Sequence, residues 1–329
     1  MSPSTSNAVL VTGGTGFLGA HVVRALLARG ERVRVLARSV PADADSRVEW
    51  ARGDLREAAS VRSACAGARA VVHCGALSAA WGRAADFHAI NVDGTQHVLD
   101  GCREHGVARL VHVSSPSVVF TGRDQHALTE SAPFAQRFLA TYSLTKKLAE
   151  DRVVAGGVPF VILRPKALFG PGDRSLLPRL AELARAGRLT RIGDGTNLVD
   201  LTYVDNAVDA VLAALDRERA LGRTYHVTND EHVVLWDAIE RVLRDLELPL
   251  PTRRVPFAVA WNAARVLEAR ARLFGGEPRF TRYVVAILAR TQTYDVRAAR
   301  EDLGYVPRVS VDEGLARTVA AMRGGLVHA

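Results

Sequence analysis

The feature that most constrains this chain lies near its start. The apolar run Val9-Leu10-Val11 leads through Thr12-Gly13-Gly14-Thr15-Gly16-Phe17-Leu18-Gly19 into an amphipathic stretch with apolar residues at Phe17, Leu18, Val22, Val23, Leu26 and Leu27. Gly13, Gly16 and Gly19 recur every third residue where a strand would give way to a helix. Gly13 permits a tight turn, Gly16 lets the backbone approach a pyrophosphate, and Gly19 lets the helix lie close to its sheet. The free N–H groups at the helix start, from Thr15 to Leu18, then face the phosphates. The pattern predicts a βα unit built for a dinucleotide.

The pattern continues past this unit. Apolar runs recur at Ala8–Val11, Arg32–Leu36, Val48–Ala51, Ala70–His73, Leu110–Ser114 and Pro159–Leu163, separated by helical periodicities such as 17–29 and 92–105. Gly30 and Gly106 close those two helices. Strand–helix alternation at this pitch predicts an α/β, Rossmann-type doubly wound parallel sheet. After Arg164 the punctuation thickens, with Gly170-Pro171-Gly172 and Gly193-Asp194-Gly195. Residues 1–165 read as the dinucleotide-binding core, with return elements at about 199–228. Residues 166–329 read as a smaller, mostly helical substrate lobe interleaved with it. The expected strands there are Val199–Tyr203 and Thr224–Val227. The stretch Val255–Phe274 reads as a core or packing helix, or alternatively as a greasy lid or a shallow membrane-surface contact.

Composition narrows the partners. Of 329 residues 48% are hydrophobic and 24% charged, which excludes disorder as the main state. Cys65, Cys74 and Cys102 are too few for a disulfide scaffold, and none forms a Cys-x-x-Cys pair, so no metal site is expected. Met1–Asn7 carries no signal-peptide pattern, and no apolar run is long enough to span a membrane. A reducing cytoplasmic compartment is expected, with membrane contact at most peripheral. The net charge of +8 comes from arginine, since Lys146, Lys147 and Lys166 are the only lysines. The arginines are scattered among acids, as in Arg56-Glu57, so nucleic acid is not an expected partner.

The end of the second strand bears on which dinucleotide binds. An acidic residue there would bond a ribose 2′-hydroxyl, but the chain has Ala37-Arg38-Ser39. A guanidinium suits a 2′-phosphate, so NADP(H) is expected, with NAD(H) as the alternative and Arg38 then a plain surface residue. Asp54, after the third strand, is placed to meet adenine or to cap a helix over residues 55–66.

Tyr142-Ser143-Leu144-Thr145-Lys146 opens a helical stretch running to about Val154. The i, i+4 spacing puts Tyr142 and Lys146 on one face. A phenol with a reference pKa near ~10 needs a cation to work as a base at neutral pH. With few lysines in the chain, roughly one chain in twenty like it would show this pairing by chance. Ser115, in Val113-Ser114-Ser115-Pro116-Ser117, is the expected third group that binds the substrate oxygen, with Ser114 as runner-up.

Together these residues resemble the extended short-chain dehydrogenase/reductase family over essentially the whole chain. The likeness rests on the Thr12–Gly19 turn, Gly53-Asp54-Leu55, His73-Cys74-Gly75-Ala76, Ser114-Ser115, Tyr142 with Lys146, and Arg164-Pro165 with Phe169-Gly170-Pro171-Gly172. Within the family it is most similar to the 3β-hydroxysteroid dehydrogenase-like branch. Gly193–Asp200, Tyr203-Val204-Asp205-Asn206 and the tail from Tyr294 to Pro307 resemble both sterol-4-carboxylate 3-dehydrogenases and bacterial 2-alkyl-3-oxoalkanoate reductases. Trp81-Gly82, Asn91–Gln96 and Leu176–Leu180 look more like the latter. The resemblance implies Tyr142 as acid/base, Lys146 as its electrostatic partner and ribose ligand, and Ser115 as oxygen binder. It further implies cofactor contacts at Leu55, Cys74, Gly75, Ala76, Asn91, Ser114, Pro165, Ala167 and Leu168. Gly75 stands where the family usually has Ala, which is expected to enlarge the room beside the ribose. The resemblance also implies a homodimer pairing two long helices, roughly 84–105 and 133–155.

The expected activity is ketone–alcohol interconversion on a bulky apolar substrate, first of all reduction of a β-keto acid. The alternatives are 3β-hydroxysteroid oxidation, sugar-nucleotide epimerase or dehydratase chemistry, and a non-catalytic NADP-binding protein. Ser78, Trp81, Lys166 and Tyr203 are the candidate substrate contacts. Lys166 is suited to a substrate carboxylate, or is alternatively an exposed or helix-paired lysine.

Overall fold

A computed structural model of the chain describes residues 7–173 and 176–327. The N-terminal segment read above for a signal peptide lies outside the described residues except for Asn7, and so do Arg174 and Ser175. Seven parallel strands form the main sheet: β1 (Ala8–Thr12), β2 (Val33–Ala37), β3 (Val48–Arg52), β4 (Ala68–His73), β5 (Arg109–Val113), β6 (Phe160–Pro165) and β7 (Arg223–Val227). Their order is β7-β6-β5-β4-β1-β2-β3. The winding direction reverses between β1 and β4, where a crevice opens beyond the carboxyl ends of the strands.

Alternation along β1 shows why this segment must be central. Val9 and Val11 point into one apolar layer with Val35, Val72 and Leu163. Leu10 points into the opposite layer with Leu36, Val71, Leu110 and Ile162. Helices α1 (Phe17–Ala28) and, near the chain's middle, Val204–Asp216 cover the first face. Helices α2 (Ala58–Cys65), α3 (Gly94–Glu104) and α4 (Thr141–Ala155) flank the second. The sheet is doubly wound, as expected.

Several local expectations are corrected. The helix expected over 84–105 is interrupted: Ala84–Phe87 runs into a π-helical turn, His88–Asp93, before α3 begins. The helix expected from Pro133 starts only at Thr141. The strand expected at Val199–Tyr203 divides at Leu201. Leu198–Asp200 joins a second sheet of order His232–Val234, Leu198–Asp200, Gln292–Tyr294, Gln125–Leu128, while Thr202–Tyr203 pairs with Leu168–Phe169. Gln125–Leu128 comes from the first half of the chain and β7 from the second, so the interleaving runs both ways.

The helix Phe257–Phe274 is peripheral. It buries only the narrow i, i+4 stripe Ala260, Ala264 and Glu268 and exposes Val259, Val266, Leu273 and Phe274, which corrects the core reading. Among the described residues no helix is long and apolar enough to cross a membrane.

Candidate active site

The glycine turn is fixed by contact. Gly13 has φ +68°, a conformation that favours glycine, and a Cβ there would come 2.7 Å from Gly75 Cα. A Cβ on Gly19 would collide with the carbonyl of Gly13. The Gly16 amide donates to that same carbonyl at 2.9 Å, closing the turn. Thr15 and Gly16 remain exposed at the start of α1, where the amides have no intrahelical partner. Such a cradle, open to solvent and filled wherever a Cβ would stand, fits a pyrophosphate. Phe17 turns its ring edge-on to His21, and Leu18 packs into the core.

Beyond β2, Arg38 and Ser39 are exposed. Arg38 makes no hydrogen bond or ion pair with the described residues. Asp54 is spoken for: its carboxylate accepts from the Arg56 backbone amide at 3.0 Å and from both sides of the Arg56 guanidinium. Those hydrogen bonds hold its carboxyl down to about 2. It caps the turn before α2 rather than the helix itself, which starts at Ala58 without a side-chain cap. Gly75 does not enlarge the ribose region. The place of a methyl group is taken by Leu55, whose Cδ1 would lie 2.8 Å from it.

Below this edge runs a polar chain. The Gly75 amide donates to Thr12 Oγ1 at 3.2 Å, and Thr12 Oγ1 lies 2.6 Å from His73 Nδ1. His73 Nε2 lies 3.0 Å from Thr95 Oγ1, which itself donates to Asn91 O at 2.6 Å. With the Thr95 proton committed there, His73 must donate from Nε2 and accept at Nδ1. Burial drives its pKa down to about 3, so it stays neutral. The Asn91 side chain clamps the backbone of Leu77 from both amide ends, at 2.7 and 3.0 Å, and donates to Thr145 Oγ1 on α4. Asn91 therefore positions the Cys74–Leu77 segment instead of offering its amide to a ligand. Burial raises the Cys74 thiol to about 12, which leaves it inert.

Ser115, Tyr142 and Lys146 come together at the ends of β5 and α4. The Ser115 hydroxyl faces the Tyr142 phenol and also accepts from the Ser117 amide at 3.2 Å. The pairing with Tyr142 is what favours Ser115 as the oxygen binder; Ser114 is buried, and its hydroxyl has no partner among the described residues. Lys146 Nζ donates to Val113 O at 2.7 Å and lies 3.4 Å from His112 Nε2. Burial lowers its pKa to about 8, against the pull of Glu150 one turn on. The expectation for Tyr142 is corrected: burial raises its pKa, and the hydrogen bond from Ser115 is what opposes the rise. With Lys146 held on the Val113 carbonyl, the resting phenol is a proton donor.

On the lobe side, Pro165 ends β6 and Ala167 adopts a left-handed backbone, φ +45°, a strained conformation for a residue with a Cβ. It turns the chain into Leu168–Phe169 and aims Lys166 inward. Lys166 is neither exposed nor helix-paired. Its Nζ donates to Gln292 Oε1 at 2.6 Å near Asp200, and burial lowers its pKa to about 8. It lines a cavity of about 80 Å³ whose other walls, including Phe169, Leu180, Val199, Ile239 and Ile287, are apolar. Neither this cavity nor a larger hollow of about 440 Å³ around Gly193, Arg254 and Phe257 has Ser115, Tyr142 or Lys146 in its lining. Trp81 donates to Gly276 O at 3.2 Å under Arg272, tying its loop to the end of Phe257–Phe274, and Ser78 is exposed. Tyr203 is corrected: it is buried against Phe169 and Arg317 and serves packing.

Tyr283 escaped the sequence reading. It stands in the first turn of the helix Arg282–Ala289, beside Tyr142, with its hydroxyl towards Ser117 and Ser143. The signal available was Thr281, whose side chain caps that helix by accepting from the Val284 amide at 3.2 Å, but a cap marks a helix and says nothing of a site.

A family model described as the NAD dependent epimerase/dehydratase family matches residues 9–228. A 2-alkyl-3-oxoalkanoate reductase of Stenotrophomonas maltophilia (strain K279a) is 39% identical over 327 residues, covering 95% of this chain and 98% of the relative. A human sterol-4-alpha-carboxylate 3-dehydrogenase, decarboxylating, is 36% identical over 327 residues, covering 95% and 87%. Among solved structures, a double mutant of DesIV, a dTDP-glucose 4,6-dehydratase from Streptomyces venezuelae with NAD and DAU bound, superposes with TM-score 0.77 at 27% identity, covering 96% of each chain. The chain belongs to the NAD dependent epimerase/dehydratase family, in the extended branch of the short-chain dehydrogenases/reductases.

Proposed function

We propose that this protein is an NADP(H)-dependent reductase of a bulky β-keto acid of the 2-alkyl-3-oxoalkanoate kind. The observation that carries the reading is the inward cation Lys166 at the edge of an otherwise apolar cavity, on the strand end beside the one that delivers Ser115. The names of both relatives describe an oxygen-bearing carbon adjacent to one that carries a carboxylate. That shared pattern supports a carboxylate on the substrate of this chain, with Lys166 supplying its counter-charge. Sterol dehydrogenation keeps the same pattern and is the second reading.

When bound, the dinucleotide supplies the hydride. Its pyrophosphate would rest on the Gly13–Gly19 turn, its adenosine end beside Arg38, Ser39, Asp54 and Leu55, and its nicotinamide end near Cys74–Ala76, Ser114 and Pro165–Leu168. The exposed Arg38, beside Asp54 but without a hydrogen bond or ion pair among the described residues, supports NADPH over NADH. Ser115 holds the substrate carbonyl oxygen. Tyr142 donates the proton that turns this oxygen into a hydroxyl, and Lys146, charged below about pH 8, offsets the negative charge left on the phenol. A phenol raised in pKa by burial rests protonated, as the proton-donating step of reduction requires.

A homodimer through the outer face of α4 accounts for the exposed Leu144 and Val154. Three free cysteines suit a reducing cytoplasm.

The test is a substrate panel of 2-alkyl-3-oxo acids, 3-keto steroids and sugar nucleotides, each with NADPH and NADH. The expected result is NADPH consumption with the oxo acids. NADH-dependent steroid turnover without oxo-acid turnover would move the protein to the second reading.

A further inference from the structure

Between Tyr142 and Lys166 lies a seam of buried polar atoms that the protein does not satisfy by itself. Among the described residues, Gln292 Nε2 and the Tyr294 hydroxyl lack a hydrogen-bond partner, and Ser117 Oγ and Ser143 Oγ have none besides the Tyr283 phenol they face, although each of the four residues is at least nine-tenths buried. Native interiors hold few such orphans, and a run of them beside a reaction site marks where a ligand or ordered water completes the bonding. All four can donate. Tyr283 sits at the front of the seam, only partly buried, next to Tyr142 and facing Ser117 and Ser143.

We infer that the Tyr283 hydroxyl donates to the substrate carboxylate, on the carbon beside the carbonyl held by Ser115 and Tyr142. A phenol has one proton to give and an oxygen that can accept. The Ser117 and Ser143 hydroxyls face that oxygen and can donate into it, which leaves its own proton for the ligand. Lys166, further along the seam, contributes charge, but its Nζ is already bonded to Gln292. Tyr283 contributes the direct hydrogen bond and hence the direction.

The position of Tyr283 is built into the lobe. The neighbouring Arg282 is locked to Glu268, with backbone and side-chain bonds of 2.7 and 2.9 Å, and Glu268 is buried. The helix carrying Tyr283 is thereby tied to Phe257–Phe274, whose far end receives Trp81. A movement of this helix pair would carry the phenol with it.

The inference rests on the β-keto acid reading, and the test separates the two. Tyr283→Phe keeps the ring and removes the hydroxyl, and Ser143→Ala removes a group behind it. Each variant is compared with the parent on a synthetic 2-alkyl-3-oxo acid and on the ketone of the same two chains without the carboxyl group. Binding of the corresponding 3-hydroxy acid to the NADP⁺-loaded protein and unfolding by denaturant are measured alongside. The expected result for Tyr283→Phe is a rise of about ten- to hundredfold in KM for the acid and in Kd for the hydroxy acid, with kcat/KM for the ketone unchanged within about twofold. Ser143→Ala shifts the same two quantities severalfold. Equal losses on acid and ketone, or no change on either, would overturn the role of Tyr283 while leaving the reductase reading intact. A parent protein that reduces the ketone but not the acid would remove both.

Discussion

The cofactor end and the helix pair of the lobe are held in opposite ways. All five residues of β1 are fully buried, packed from both faces, and in the turn that follows a methyl group on Gly13 or Gly19 would collide with backbone atoms. The helix Phe257–Phe274 rests on a stripe of two alanines and one ion-paired glutamate, with Arg282 and Arg272 on Glu268. Its small apolar cluster is separate from the main core. A pyrophosphate has one shape, and a rigid cradle serves it. The cavity of about 80 Å³ beside Lys166 takes Ile287 and Leu288 from the second helix of the pair, while its other apolar walls belong to the main core. The helix pair, with few buried apolar contacts, is the part of the lobe expected to open first.

The contrast can be broken at several points. Tyr142→Phe should lower kcat for the oxo acid by about 10²–10⁴-fold while NADPH affinity, measured by fluorescence titration, changes less than twofold. Substantial turnover in that variant would show that the proton comes from elsewhere.

Glu150→Gln tests the rigid half. It leaves Arg164, hydrogen-bonded to Glu150 at 2.9 and 2.6 Å, as an uncompensated buried cation. Urea unfolding should report a loss of about 3–5 kcal/mol.

Acid probes the same half. Burial leaves His73 and His226 with pKa values of about 3, and His112 also far below the ordinary imidazole range. The unfolded chain takes up protons at these positions below about pH 6.5, and the folded one does not until about pH 3. Stability is therefore complete above pH 6.5 and drains away as the pH falls towards 3, by a few kcal/mol in denaturant titrations. A flat profile over that window would mean these rings are hydrated.

Arg38→Ala should weaken NADPH about tenfold or more and leave NADH nearly unchanged. Equal weakening would remove the 2′-phosphate argument. Leu273→Ser, on the exposed side of the lobe helix, should shift stability by less than about 0.5 kcal/mol. A larger loss would show that this helix is packed against something in solution and is not loosely held.

The rigid half was also the legible half. Gly13 and Gly19 can be read because a Cβ at either would collide with backbone, Gly16 because it completes their spacing, and Tyr142 with Lys146 because helical spacing is enough to pair them. Leu55 filling the place of a methyl at Gly75 could not be read, since the two residues belong to different loops joined only by the fold. Asn91 looked like a ligand because its type is right, but both ends of its amide are used up holding Leu77 and Thr145. Tyr203 looked like a pocket residue and proved to be packing, because the strand expected to present it divides at Leu201. Tyr283 was invisible because its neighbours Ser117, Ser143 and Tyr142 lie well over a hundred residues away in sequence.

The central claim, hydride delivery to the ketone of a β-keto acid that keeps its carboxylate, has a direct test. The protein is supplied with NADPH deuterated at the transferring position of the nicotinamide and with a 2-alkyl-3-oxo acid, and the product is examined by mass spectrometry and NMR. The account predicts a 3-hydroxy acid with one deuterium on the carbinol carbon and the carboxyl group intact. A product without deuterium there, or one that has lost carbon dioxide, would contradict it.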